Sequence, residues 1–112
     1  MSNQRLLGEV EQLVLLAILR IGDGAYAVPI REELIRHTGV SLSRGTIYVT
    51  LDRLERKGYV HSWFDDPTPE PGGKARRCFR LERDGMLALR AAQRMVDRLR
   101  AGTPLQEKGP KG

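Results

Sequence analysis

The stretch SRGTIYVTLDRLERK, residues 43–57, places hydrogen-bonding side chains beside a stripe of apolar residues. Within the stretch, three apolar residues recur at intervals of three or four positions, at Ile47, Leu51 and Leu54. This spacing predicts a helix over 44–57, and Ser43 has the side chain of a helix N-cap. The side chains that could bind a ligand lie near the start of this helix or on its outer side: Ser43, Arg44, Gly45, Thr46, Tyr48, Val49 and Arg53.

These residue types suit contact with double-stranded DNA. An arginine can donate two hydrogen bonds to guanine, threonine and valine can pack on a thymine methyl group, and a tyrosine hydroxyl can bond to a phosphate. The glycine leaves room for the close approach of another backbone. Two plainer interpretations stay open: Tyr48 as a half-buried core residue, and Arg53, Arg56 and Lys57 as part of a solvated face of mixed charge.

A denser basic cluster lies farther along the chain. Residues 74–83 contain five basic residues and one acidic residue, a net charge of +4. Glycines precede this cluster directly, so a loop there could follow a phosphate backbone, and we expect such contacts to be salt-sensitive. The candidate phosphate-binding residues are Lys74, Arg76 and Arg77. The plainer alternative is a charged loop that only aids solubility.

Composition supports the same class of partner and argues against several others. The chain has 112 residues, a net charge of +5 and a pI near 9.9, which is typical of nucleic-acid-binding domains when the charge is clustered. Its single cysteine, Cys78, rules out an internal disulfide framework. Apolar runs are too short to cross a membrane, and the N-terminus lacks the pattern of a secretory signal. We therefore expect a cytoplasmic protein.

Periodicity predicts a mainly α-helical chain with one small β-hairpin. The predicted helices cover 8–22, 28–38, 44–57 and 84–101, and the predicted strands cover 59–64 and 77–82. Three helices followed by a two-stranded hairpin make a winged helix-turn-helix. The predicted organisation is a winged helix-turn-helix domain over 6–83, a C-terminal dimerisation helix over 84–101 and a flexible tail over 102–112.

Two helices carry more apolar surface than a small chain is expected to cover by itself. The first predicted helix is apolar on most sides, and the last has an apolar stripe at helical spacing. A homodimer would cover both. The candidate dimerisation residues are Leu15, Leu16, Leu89, Ala92, Val96 and Leu99.

The chain resembles the PadR-like transcriptional regulators in several segments that follow one another in order. These segments are LGEVEQLVLLAIL, GAYAVPIREEL, SRGTIYVTLDRLERKGYV and GGKARRCFRLERDG. The resemblance implies a dimeric winged-helix repressor with one helix in the major groove and the hairpin, or wing, on the flanking DNA backbone. In that comparison Thr46 and Tyr48 match recognition-helix positions. The resemblance is compatible with regulation by a small-molecule effector but does not identify that molecule.

We find no pattern in the sequence that indicates an enzyme, a cofactor or a metal site. His37 and His61 are 24 residues apart, whereas metal sites need clustered ligands. Cys78 has no recognisable base near it in the sequence. The remaining alternative to a DNA-binding regulator is a winged-helix module that docks on an acidic protein partner.

Overall fold

The chain forms four helices and a two-stranded antiparallel hairpin, in a computed structural model that describes residues 6–65 and 75–106. The helices are α1 Glu9–Ile21, α2 Ala27–Thr38, α3 Arg44–Arg56 and α4 Arg83–Arg100, and the strands are β1 Val60–Phe64 and β2 Arg77–Leu81. Each observed end lies within one residue of its predicted position. The predicted mainly α-helical winged helix-turn-helix is confirmed.

Helix α1 is the centre of the hydrophobic core. It packs against α2, α3 and β2, and this cover on several sides explains why its sequence is apolar beyond a single stripe. Leu15, which we expected to face a partner chain, is fully buried within the chain itself. Part of the apolar excess of α1 is therefore buried inside the protomer, whereas Leu16 and Leu19 stay exposed.

Helix α3 begins where the sequence predicts and ends one residue earlier, at Arg56. The Ser43 side chain accepts a hydrogen bond from the Thr46 amide at 3.0 Å, as an N-cap does. The stripe residues Ile47, Leu51 and Leu54 are fully buried against the rest of the core. After the helix, Gly58 adopts a φ of 80°, a left-handed conformation that favours glycine.

The hairpin has one face on the core and one face outward. Its register pairs Val60 with Leu81 and Phe64 with Arg77, so paired residues share a face. The amide of Phe79 also donates a hydrogen bond to the Ala25 carbonyl at 2.8 Å, which ties the hairpin to the turn between α1 and α2. The wing is thereby fixed to the helical body at its base.

Helix α4 starts against the body and then leaves it. A Cβ atom on Gly85 would lie 2.2 Å from the Tyr59 carbonyl oxygen, so only glycine fits at this approach. Leu89 and Ala92 are buried against the body. From Gln93 to Arg100 every residue is exposed, so the last two turns of the helix project outward.

Candidate nucleic-acid interface

The outer side of α3, from its first turn to Arg53, presents an exposed surface, which we call the α3 face. This face lies opposite the buried stripe and consists of Arg44, Gly45, Thr46, Tyr48, Val49 and Arg53. Val49 is 54% exposed and Tyr48 is 37% exposed, so Tyr48 is not a core residue. The structure thus brings all of the exposed residues predicted on this helix to one side of the molecule.

Local hydrogen bonds hold the start of α3 in place. The Ser43 hydroxyl donates to the Thr46 hydroxyl at 3.0 Å, in addition to capping the helix. In the turn before the helix, the Arg31 guanidinium donates to the Leu42 carbonyl at 2.7 Å and to the Ser41 hydroxyl at 3.3 Å. These bonds hold the turn between α2 and α3 and so help to set the orientation of α3 relative to α2. The direction of the α3 face follows from that orientation.

Gly45 in the first turn of α3 has no internal reason to be glycine. A Cβ atom there would have the Ser43 hydroxyl at 3.9 Å as its nearest neighbour, which is an ordinary contact. Glycine in a helix is less favourable than alanine by about 1 kcal/mol. An open position of this kind is suited to the close approach of another molecule.

The two arginines predicted to bind phosphate in the wing, both within the described residues, have different surroundings. Arg76 is exposed, lies 4.7 Å from the ring centre of Tyr26 and donates a 3.3 Å hydrogen bond to its hydroxyl. Its guanidinium lies 3.9 Å from the Asp65 carboxylate, but its side chain is 53% exposed and can reach a phosphate. Lys74, the third predicted phosphate contact in the wing, lies outside the described residues.

Arg77 is engaged by acidic residues of α3. Its guanidinium lies 2.7 Å from Glu55 and 3.1 Å from Asp52, and only 26% of its side chain is exposed. We expected a direct phosphate contact, but two carboxylates already occupy the guanidinium. Arg77 therefore joins the wing to α3 and neutralises acidic charge beside the α3 face.

The Glu55 carboxylate completes this connection. It accepts hydrogen bonds from the Ser62 hydroxyl at 2.8 and 2.9 Å and from the Ser62 amide at 3.3 Å. Burial acts to raise the pKa of Glu55, but the hydrogen bonds from Ser62 and Arg77 outweigh it and hold the pKa below its ordinary value. Glu55 therefore stays ionised at neutral pH, and the wing is held on α3 by charge.

The predicted dimerisation residues fall into two groups. Leu15 and Leu89 are buried in the protomer and have no surface left for a partner, so we correct that part of the prediction. Ala92 is also largely buried, but it lines an apolar cavity beside α4. The second group is exposed and consists of Leu16, Val96 and Leu99. Helical spacing located the apolar stripe of α4 but could not show that its first half is covered by the body.

The two histidines lie apart and make local contacts. His37 lies 3.5 Å from Glu33 on the same helix, and His61 stacks on Trp63 with ring centres 6.1 Å apart. Within residues 6–65 and 75–106, no cluster of His, Cys, Asp and Glu could hold a metal ion. None of the helices described is long and apolar enough to span a bilayer.

Comparison with known proteins gives a family match and several similar structures. The model of the PadR-like family of transcriptional regulators matches residues 15–91. A PadR family transcriptional regulator from Eggerthella lenta is 27% identical with a TM-score of 0.67, over 84% of this chain and 81% of that chain. Comparison with curated proteins gives no match.

Two further structures, at lower identity, are similar in fold. A PadR-like transcription factor from Bacteroides fragilis is 21% identical with a TM-score of 0.68, over 80% of this chain and 82% of that chain. F93 from STIV, a winged-helix DNA-binding protein, is 15% identical with a TM-score of 0.61, over 81% of this chain and 90% of that chain. Since the family model matches more than half of the chain, this protein belongs to the PadR-like family of transcriptional regulators.

Proposed function

We propose that this regulator is a homodimeric repressor that binds a pseudo-palindromic operator in double-stranded DNA. The observation that carries the proposal is the α3 face, where side chains able to contact base edges are exposed on a helix whose start is fixed by Ser43 and Arg31. The proposed base contacts are Arg44, Thr46 and Val49, and the proposed backbone contacts are Ser43, Tyr48, Arg53, Lys74 and Arg76.

The proposed dimer contact is the projecting half of α4. Val96 is 50% exposed and Leu99 is 82% exposed, and Met95 lies beside them on the same exposed turn. Nearby, Leu6, Tyr59 and Ala88 help line an apolar cavity of about 280 Å³ between α4 and the N-terminal segment. A second copy of α4 placed here would remove this apolar surface from water.

A two-fold dimer makes a geometric prediction for the operator. Two α3 helices should meet successive major grooves with half-site centres about 34–36 Å apart, one turn of DNA. We expect the wings to follow the DNA backbone on the flanks, where Arg76 is open to phosphate. The repressing direction follows from the family resemblance, and transcription in vitro from a promoter that carries the operator would test it.

Footprinting on a selected duplex tests the dimer and the operator together. The wild-type protein would select its site from a library of random-sequence duplexes, and hydroxyl-radical cleavage would then map the protected sugars. We expect two protected half-sites related by a two-fold axis and one helical turn apart. A single unsymmetric half-site would contradict the pseudo-palindromic operator, and failure to select any sequence would contradict specific DNA binding.

A further inference from the structure

Phe64 at the end of β1 is an exposed aromatic residue that the protomer does not use. It is 67% exposed, whereas the other aromatic residue of this strand, Trp63, is half-buried. Trp63 stacks with His61 and lies 5.7 Å from the Arg80 guanidinium. Among the residues that the structure describes, Phe64 takes part in no stacked pair and no cation–ring pair. Its ring is therefore available to another molecule.

The register of the hairpin shows the side to which Phe64 belongs. Phe64 pairs directly with Arg77, and Ser62, two residues earlier, shares its face. Both of these neighbours make hydrogen bonds to Glu55 of α3. Phe64 therefore lies on the inner face of the wing, about 7 Å beyond Ser62 along the strand, beside α3.

Arg77 also relates Phe64 to the DNA-facing side of α3. Its guanidinium reaches Asp52, and Asp52 lies on the exposed side of α3, next to Arg53 and about one helical turn after Val49. A duplex seated on the α3 face would consequently pass close to the inner face of the wing. The groove next to the one that α3 enters is the minor groove.

We propose that Phe64 is an apolar wedge that enters the minor groove beside the recognition site and partly unstacks one base step. Phenylalanine is among the residues that minor-groove-binding proteins insert between base pairs. Arg76 precedes Arg77, the strand partner of Phe64, and provides positive charge at the same end of the hairpin for the phosphates that flank the groove. The proposal rests on the proposed DNA-binding function and adds to it a residue that selects flanking sequence.

If Phe64 acts as a wedge, the protein should prefer certain base steps at the flank of its site, although no hydrogen bond reads them. Pyrimidine–purine steps unstack and kink more easily than other steps, so their presence at the flank would favour binding. The expected preference is for TA or CA/TG steps outside the region that α3 reads. It should depend on Phe64 and not on the side chains of the α3 face.

Fluorescence of 2-aminopurine tests insertion directly. The base analogue would be placed at successive flanking steps of the duplex selected by the wild-type protein, and the affinity of each variant would be measured on the same duplexes. We expect wild-type binding to raise fluorescence at one flanking step on each side. Phe64→Ala should abolish this rise and weaken binding about tenfold, since one base–aromatic stack contributes about that much.

Two variants serve as controls for the wedge. Phe64→Leu keeps an apolar wedge and should keep most of the fluorescence change. His61→Ala removes an exposed ring from the opposite face of the same strand and should bind like wild type. Thermal unfolding of each variant shows whether a loss of binding comes from a loss of fold.

The outcomes separate the wedge from the proposed function. Specific binding by wild type, with no fluorescence change and with equal affinity for Phe64→Ala, would overturn the wedge and leave the DNA-binding regulator standing. Weaker binding by Phe64→Ala without any wild-type fluorescence change would show contact without insertion and would also overturn it. No specific binding by wild type would overturn both.

Discussion

At the scale of single residues, two glycines differ in whether the fold itself requires them. Gly85 lies so close to the Tyr59 carbonyl that a side chain there would collide with the backbone. Gly45 has open space around it and sits on the α3 face. The fold gives no reason for Gly45, so its role is best explained by a molecule outside the chain.

Gly45→Ala should separate stability from binding. Alanine is the better helix former, so we expect the free energy of unfolding to rise by about 0.5–1 kcal/mol. The added methyl group should weaken binding to the selected duplex, because it keeps the DNA backbone away from α3. Denaturant unfolding and fluorescence anisotropy measure the two effects.

Gly85→Ala is the matched control for that substitution. It should lower stability by about 1–3 kcal/mol, as overpacking does. Full DNA affinity in Gly45→Ala would show that the α3 backbone does not approach the duplex closely.

Arg76 and Arg77 should show a similar contrast, in which one substitution weakens DNA binding and the other lowers stability. Since the proposed contact of Arg76 is with a phosphate, Arg76→Ala should weaken binding to selected and scrambled duplexes equally and should lower the salt slope by about one. Arg77→Ala should instead lower the free energy of unfolding by about 1 kcal/mol, because it removes the cationic partner of Glu55 and Asp52 and leaves Ser62 to bind Glu55 alone.

Titrations of both variants against salt, with unfolding curves on the same samples, check this contrast. A salt slope that falls by one in Arg77→Ala, with stability unchanged, would mean that Arg77 binds phosphate after all. In that case the contacts with Glu55 and Asp52 would be replaced when DNA binds.

At the scale of secondary-structure elements, a buried ion pair joins the start of α1 to the end of α3. The Glu11 carboxylate is almost fully buried, lies 2.8 Å from the Lys57 ammonium and accepts a hydrogen bond from the Gly8 amide at 2.8 Å. Burial acts to raise the pKa of Glu11, but the hydrogen bonds from Lys57 and Gly8 outweigh it and lower the pKa. Lys57 is therefore part of the fold and not of a solvated face.

This pair gives the stability of the protein a defined dependence on pH. Because the pKa of Glu11 is lower in the folded than in the unfolded chain, its contribution is complete above the ordinary value of 4.5 and is lost as pH falls through the folded value. The pKa of Glu55 is also lowered in the folded chain, so its contribution to stability is likewise lost in acid. We expect Glu11→Gln to destabilise the protein at neutral pH by about 1–3 kcal/mol.

Denaturant unfolding of wild type and Glu11→Gln, at neutral pH and well below pH 4.5, measures this dependence. The difference between the two proteins should shrink in acid, since the wild-type carboxyl is then protonated. A difference that stays constant with pH would indicate that Glu11 contributes through packing alone.

Sequence periodicity was sufficient to locate the elements but not to show what covers them. Every helix and strand could be predicted because apolar spacing, Ser43 and the terminal glycines are local signals. The contacts of Arg77 with α3 and the burial of Leu89 could not be predicted, since they depend on how distant elements meet. The exposure of Phe64 could not be predicted either. The alternation of side chains along a strand shows which face Phe64 is on, but not which residues pack against it.

At the scale of the whole molecule, the projecting half of α4 should determine the oligomeric state. Leu99→Glu would place a charge where the proposed two-fold contact is apolar, so we expect it to produce a monomer that binds the selected duplex far more weakly. Arg94→Glu changes charge at an exposed position of the same helix and should remain dimeric. Multi-angle light scattering of both variants checks this expectation, and a monomeric wild-type protein would refute it.

The most direct test of sequence-specific recognition by the α3 face compares two affinities of the wild-type protein, one for its selected duplex and one for a scrambled duplex of equal length. Both affinities would be measured across a salt series, with Arg44→Ala measured in parallel. We expect tight binding to the selected duplex that weakens steeply with salt, and weaker binding to the scrambled one. Arg44→Ala should reduce that preference by about 1–3 kcal/mol. Equal affinity of the wild-type protein for both duplexes would contradict sequence-specific recognition by the α3 face.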